Sequence, residues 1–145
     1  MLSKEEVIAK CQKNTVWAID GIGSAQSLRA EIVQDVIISE EILSDMDCTN
    51  TLFIRVHFIG CVFNSVLFYN AAFRDCYFEG CSIVDCNFLG GGMTDTAFNM
   101  CFIRKGNFHR MSISGGKFTD CEFMDAPMWE ADLHHVSMNE CNFCR

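Results

Sequence analysis

The chain has 145 residues, half of them apolar, and 19 Asp and Glu against 11 Lys and Arg give it a formal charge of −8. That length predicts one domain with a substantial core, and a pI near 4.8 argues against a general nucleic-acid binder or a protein held on anionic lipid. No run approaches the ~18 apolar residues of a membrane span, and the start Met1-Leu-Ser-Lys-Glu-Glu lacks the basic opening of a signal peptide. The expectation is a cytoplasmic protein whose ten cysteines are reduced, small and buried rather than a disulfide framework.

In chain order, Ser3 and Glu6 form a capping box ahead of Val7, Ile8 and Cys11, which predicts a helix over about residues 4–13. Gly21-Ile-Gly23 reads as a turn. From residue 26 large apolar residues recur every fifth place, at Leu28, Val33, Ile38 and Leu43. Glu31 and Glu41 interrupt this segment at positions that a regular repeat cannot bury unpaired. Residues 26–50 are therefore open to two readings, degenerate opening coils or an amphipathic helix. In both, residues 1–50 serve as an N-terminal cap on the remainder of the chain.

From residue 51 the five-residue period is unbroken. One series runs Phe53, Phe58, Phe63, Phe68, Phe73, Phe78, Ile83, Phe88, Met93, Phe98, Ile103, Phe108, Ile113, Phe118, Phe123, Met128, Leu133, Met138 and Phe143. At half apolar composition such a run is roughly a one-in-half-a-million event. Two places earlier lies a second series of small residues, with seven Cys among Val, Ala, Gly and Thr, and Met111 as its one bulky member. Every charged residue after position 50 falls elsewhere. Two inward positions in five require the backbone to turn a corner in each unit.

Blocks such as Ala71-Ala-Phe-Arg-Asp75, Cys86-Asn-Phe-Leu-Gly90 and Ala131-Asp-Leu-His-His135 resemble the pentapeptide-repeat family. The resemblance covers residues 51–145 and implies an all-β fold, a right-handed quadrilateral β-helix with one pentad per face. At 20 residues per coil this gives about 4.75 regular coils, a rod of roughly 23 Å at the ~4.8 Å strand spacing. It also implies a bacterial-type protein without catalytic activity. Residues 20 apart should stack, so Cys61, Cys81, Cys101, Cys121 and Cys141 form an internal ladder beside the phenylalanine columns.

The candidate chemistry is sparse. Cys141-Asn-Phe-Cys144 has Cys-x-x-Cys spacing with His134 and His135 nearby, but Cys141 faces in, Cys144 faces out, and His134 and Cys144 belong on opposite faces. Stacked thiols cannot converge tetrahedrally on one ion. Gly90-Gly-Gly92 falls on a repeat boundary rather than in a phosphate loop. The expectation is no catalytic residue, no cofactor and no metal.

Two surface features remain. Tyr69, Leu89, His109 and Trp129 fall in one outward column, with Leu67 and Pro127 beside them and Phe102, Val84 and Met124 on the preceding face. An apolar stripe on a rod is a candidate protein-binding surface; the other reading is that the N-terminal segment covers it. The second feature is acidity. Some family relatives, the quinolone-resistance proteins, are described as mimics of DNA that bind DNA gyrase. Here residues 51–145 carry a net −3 and residues 1–50 a net −5, whereas 23 Å of duplex carries roughly 13 or 14 negatives.

The sequence reading is thus a non-catalytic interaction module binding an unidentified protein through Tyr69, Leu89, Trp129, Phe102 and Met124, with no direct nucleic-acid or membrane contact. Its alternative is a DNA-mimicking modulator of gyrase. The last coil, with Leu133, Met138 and Phe143 and open strand edges, is expected to pair end to end in a homodimer.

Overall fold

The computed structural model describes residues 1–128 and 130–144. Residues 26–128 and 130–144 belong to a parallel β-solenoid with 20 residues per coil and four faces. Face one carries six three-residue strands, from Ile32–Gln34 and Leu52–Ile54 through to Asp132–His134; face two carries six more, from Ile37–Ser39 to Ser137–Asn139. Face three has five, from Val62–Asn64 to Asn142–Cys144, extended by a bridge from Ile42 to Val62. Face four pairs only single residues, Ser27 to Asp47, Leu67, Asn87 and Asn107 in turn. Residues 20 apart stand in register, as in Phe58 opposite Phe78.

Each strand is three residues long because the pentad leaves room for no more. Its middle residue points inward, and its neighbours point out by strand alternation. From Leu28 to Phe123 every residue of the large series is buried. The rings stack coil upon coil: Phe58, Phe78, Phe98 and Phe118 lie 4.7, 4.4 and 4.8 Å apart between centroids, and Phe68, Phe88 and Phe108 4.8 and 4.9 Å. Around a coil the rings meet edge to face, as Phe53 does with Phe58 at 68°. Both geometries suit the ring quadrupole.

The fifth residue of every described pentad turns the corner in the left-handed region, from Ala30 at φ 58° to Glu140 at φ 53°. Asp and Asn recur there because their short polar side chains tolerate that region. After faces one to three the corner N–H reaches the next coil, as Asp75 N–H does to the Thr94 carbonyl at 3.0 Å. On face four the corner N–H does the same, as Asn70 N–H does to the Leu89 carbonyl at 3.0 Å, and the next residue adds a local turn, with Ala71 N–H donating to the Phe68 carbonyl at 3.0 Å and Gly91 N–H to Phe88 at 3.1 Å.

The small inward residues also bond. Cys81 Sγ donates to the Phe58 carbonyl at 3.3 Å, Cys101 to Phe78 at 3.4 Å and Cys121 to Phe98 at 3.5 Å. Thr96 Oγ1 makes the same bond to Phe73 at 3.3 Å. Each links a corner to the carbonyl 23 residues earlier, which explains why Cys and Thr fill so many of these positions.

The structure corrects the N-terminal third. The helix runs Lys4–Asp20 rather than ending near residue 13. Its start is the capping box, with Ser3 and Glu6 bonded reciprocally at 3.1 Å, and Gly21 ends it at φ 69° with its N–H on the Trp17 carbonyl. What extends it is a tertiary clamp. Asn14, fully buried, donates through Nδ2 to the carbonyls of Ile42 (2.9 Å) and Ser44 (3.0 Å) and accepts from Gln26 N–H (2.8 Å). Val7 and Cys11 are buried against the first coils.

Residues 26–50 are coils, not a second helix. Glu41 escapes the burial penalty because the Thr15 hydroxyl of the helix donates to its carboxylate, and Glu31 stays half-exposed. The charge partition changes with it. Residues 1–25 hold three acids and three bases, so residues 26–145 carry sixteen acids against eight bases and the full −8. At the other end Cys141, expected in the core, is only half-buried because it lies on the outermost described coil. Leu133, Met138 and Phe143 are exposed there, Phe143 by 59%.

Candidate interaction surface

Among the described residues no three His, Cys, Asp or Glu side chains converge on a point that would hold a metal. Cys141 points in, Cys144 is exposed in register with Met124, and His134 pairs with its neighbour Asp132 at 3.0 Å. The glycine run is structural: a Cβ on Gly91 would lie 2.7 Å from the Ala71 carbonyl oxygen, so the adjacent coil excludes any side chain. A hollow of about 370 Å³ lies beside the helix, lined by Ala9, Lys13, Val16 and Ile22 among others, away from the stripe.

Face four differs from the other faces in its surface. Its outward residues over three coils are Leu67, Tyr69, Asn87, Leu89, Asn107 and His109, without an Asp, Glu, Lys or Arg among them. Leu67 is 46% exposed and Tyr69 43%, while Leu89 and His109 are half-buried and Pro127 is exposed. Phe102, Val84 and Met124 are half-buried on face three, with Val62 exposed beside them. The structure therefore brings Tyr69 and Leu89 together on one face and Phe102 and Met124 on its neighbour. Trp129 lies outside the described residues. The helix does not cover the stripe, since its buried residues Val7, Cys11 and Asn14 face the first coils.

Leu67 emerges as a residue that sequence reasoning undervalued. In its column Asp47 Oδ1 accepts the Thr49 N–H, Asn87 Oδ1 the Leu89 N–H and Asn107 Oδ1 the His109 N–H, each at 3.0 Å. Ser27 Oγ does the same for Arg29 at 3.1 Å. These Asx and Ser turns order the face-four corner. Leu67 has no acceptor to offer, although its bridges and its turn match those of its neighbours. The signal was present in the sequence as Ser27, Asp47, Asn87 and Asn107 at 20-residue spacing, once that column is known to be a turn column.

Surface ion pairs lie mainly near the ends. Arg55 contacts Asp35 at 2.6 and 3.0 Å, Arg29 contacts Asp47 at 3.3 Å, and Arg110 contacts Glu130 at 2.9 Å. The Arg55 hydrogen bond holds the Asp35 carboxyl below the usual carboxylate range. Hydrogen bonding from the stacked Asp120, with its charge, pushes Glu140 up. Burial raises the isolated thiols, Cys76 to about 11 and Cys86 to about 12.

Residues 51–122 match the family described as pentapeptide repeat region. Among solved structures, the chain is similar to a trypsin-treated form of QnrB1, a plasmid-mediated fluoroquinolone resistance protein, at 17% identity and TM-score 0.51 over 77% of this chain and 64% of that one. It is also similar to Rfr23, a pentapeptide-repeat protein of the cyanobacterium Cyanothece 51142, at 8% identity and TM-score 0.52 over 91% of this chain and 99% of that one. The chain thus spans less than two thirds of that QnrB1 chain. Both likenesses concern the fold. No curated protein matches the chain in sequence.

Proposed function

The chain belongs to the pentapeptide-repeat family, and we propose that it acts as a non-catalytic interaction module whose face four, with the adjoining part of face three, docks a protein partner. The observation that carries this reading is Leu67: the column forgoes a turn-stabilising side chain at a place where it shows solvent an apolar side chain that is 46% exposed. Local rules are broken most often where function requires it. Around Leu67, the exposed Tyr69, the half-buried Leu89 and the amides of Asn87 and Asn107 make a flat surface with an apolar centre and polar margins, as protein interfaces have. Phe102 and Met124 extend it.

A photo-crosslinking residue at position 67 tests the assignment against one at Lys117, which is exposed on the opposite face two. Adducts at 67 and none at 117 are expected in extracts of the source cells; equal labelling would refute the choice of face. We place the protein in the cytoplasm, supported by ten free cysteines. Among the described residues no helix is long and apolar enough to cross a membrane.

The extension of the coils to residue 26 favours a second reading. With the whole −8 on six coils, a rod of about 28 Å carries half the roughly 16 negatives of the equivalent duplex, so DNA mimicry toward gyrase gains ground. Inhibition or protection of gyrase in a supercoiling assay would establish it; an unaffected reaction leaves face four as the functional surface. The exposed Leu133, Met138 and Phe143 are proposed to meet a second copy end to end, which sedimentation at micromolar concentration would detect as a dimer.

A further inference from the structure

We infer from the thiol geometry that Cys61, Cys81, Cys101, Cys121 and Cys141 form a pairwise site for soft cations that prefer two sulfur ligands in a line, of the mercuric class. These five occupy consecutive coils of one column, whereas Cys76 stands between Val56 and Thr96, and Cys86 between Val66 and Gly106. Every ladder thiol contacts the same two carbonyls, those 2 and 23 residues earlier: Ile59 and Ile38 for Cys61, Glu79 and Phe58 for Cys81, Asn99 and Phe78 for Cys101. Cys121 and Cys141 repeat the pattern. Identical contacts mean one shared rotamer, so the sulfurs are spaced as the coils are, at ~4.8 Å.

A tetrahedral centre needs four ligands around a point, which a straight column cannot provide. A linear centre needs two. With metal–sulfur bonds of ~2.3 Å it spans about 4.6 Å between sulfurs, close to the coil spacing, and thiolates select soft metals. The charge also fits a buried site. One dication replaces the protons of two thiols, forming two metal–sulfur bonds, breaking two S–H bonds and releasing two protons to solvent. No oxidation state changes, and the product is neutral, so the core acquires no uncompensated charge. Ions enter at Cys141, which is half-buried above the fully buried Cys121.

Pairing imposes a parity that scattered thiols lack. In a Cys144→Ser background, reduced protein is titrated with mercuric ion and followed by native mass spectrometry, proton release and circular dichroism. Five sulfurs in a row hold two ions. Cys101→Ala leaves two intact pairs and keeps both ions, whereas Cys81→Ala and Cys121→Ala each leave one pair and lose one ion, with two protons fewer released. The remaining cysteines contribute equally throughout and cancel. Should an Ala variant fail to fold, Thr, which occupies the equivalent place at Thr51 and Thr96, replaces it. Equal losses in all three variants, no loss in any, or ion uptake only with collapse of the β signal would overturn the inference.

Discussion

Replacing Leu67 by Asn, and separately by Ala, isolates the turn bond that this coil lacks. Leu67 buries about half of its surface. Full burial of a Leu is worth roughly 1.5–3 kcal/mol, so both substitutions give up about 1 kcal/mol of packing. Asn alone regains something. In the two following coils Asn87 and Asn107 bond the N–H two residues on at 3.0 Å, and such a bond contributes about 1 kcal/mol. Leu67→Asn should therefore be nearly as stable as the native chain, and more stable than Leu67→Ala by about 1 kcal/mol, or about 3 °C in Tm for a chain of this size. Asn87→Ala and Asn107→Ala should each lose a similar amount, which calibrates the bond. Differential scanning calorimetry measures all four. If Leu67→Asn proves no more stable than Leu67→Ala while Asn87→Ala is destabilised, position 67 does not share its neighbours' turn and the case for Leu67 as a functional exception collapses.

Other outcomes stem from the clamp, the corners and the stacked charges. Asn14→Leu orphans the carbonyls of Ile42 and Ser44 and the N–H of Gln26; it should cost roughly 3 kcal/mol in urea denaturation and speed amide exchange along residues 4–20 before the coils open. Met100 holds φ 53° with its side chain 56% exposed, so Met100→Gly relieves left-handed strain and should stabilise by about 1 kcal/mol in the same assay. The pH dependence has two opposed contributions. Asp35 has a depressed folded pKa, so its contribution holds above the ordinary carboxylate range and fades as pH falls through the lowered value; Arg55→Gln should flatten that acid limb of a thermal-unfolding profile. Glu140 has a raised one, so its contribution is present below the ordinary glutamate value and lost as pH rises. Glu140→Gln should match the native chain in acid and exceed its Tm at neutral pH.

The solenoid is legible in the sequence because its two inward positions differ in chemistry: Phe cannot enter the small series without meeting the adjacent coil, and charge can enter neither series cheaply. The first coils are harder to read for the same reason. Glu41 violates the rule in sequence and obeys it in space, since its partner is the Thr15 hydroxyl on the helix. The helix beyond residue 13 is likewise a tertiary product. Asn14, Thr15 and Val16 are indifferent helix formers, and the bonds of Asn14 to the loops around Ile42 and Ser44 hold that turn in place. The charge partition depends on the same segment: with residues 26–50 in a cap their acids leave the rod, and with those residues coiled the acids return to it. On the surface, Tyr69 and Leu89 stand out by hydrophobicity alone. The importance of Leu67 needs the hydrogen bonds of its column, which periodicity does not reveal.

Partner capture by the native chain and by a Leu67→Asn/Tyr69→Ser double variant tests the central claim most directly, with calorimetry confirming that both are folded. Face four as the docking surface predicts that the protein captured by the native chain, and crosslinked at position 67, is lost from the variant at unchanged Tm. Retention of that protein by the folded variant would contradict the account.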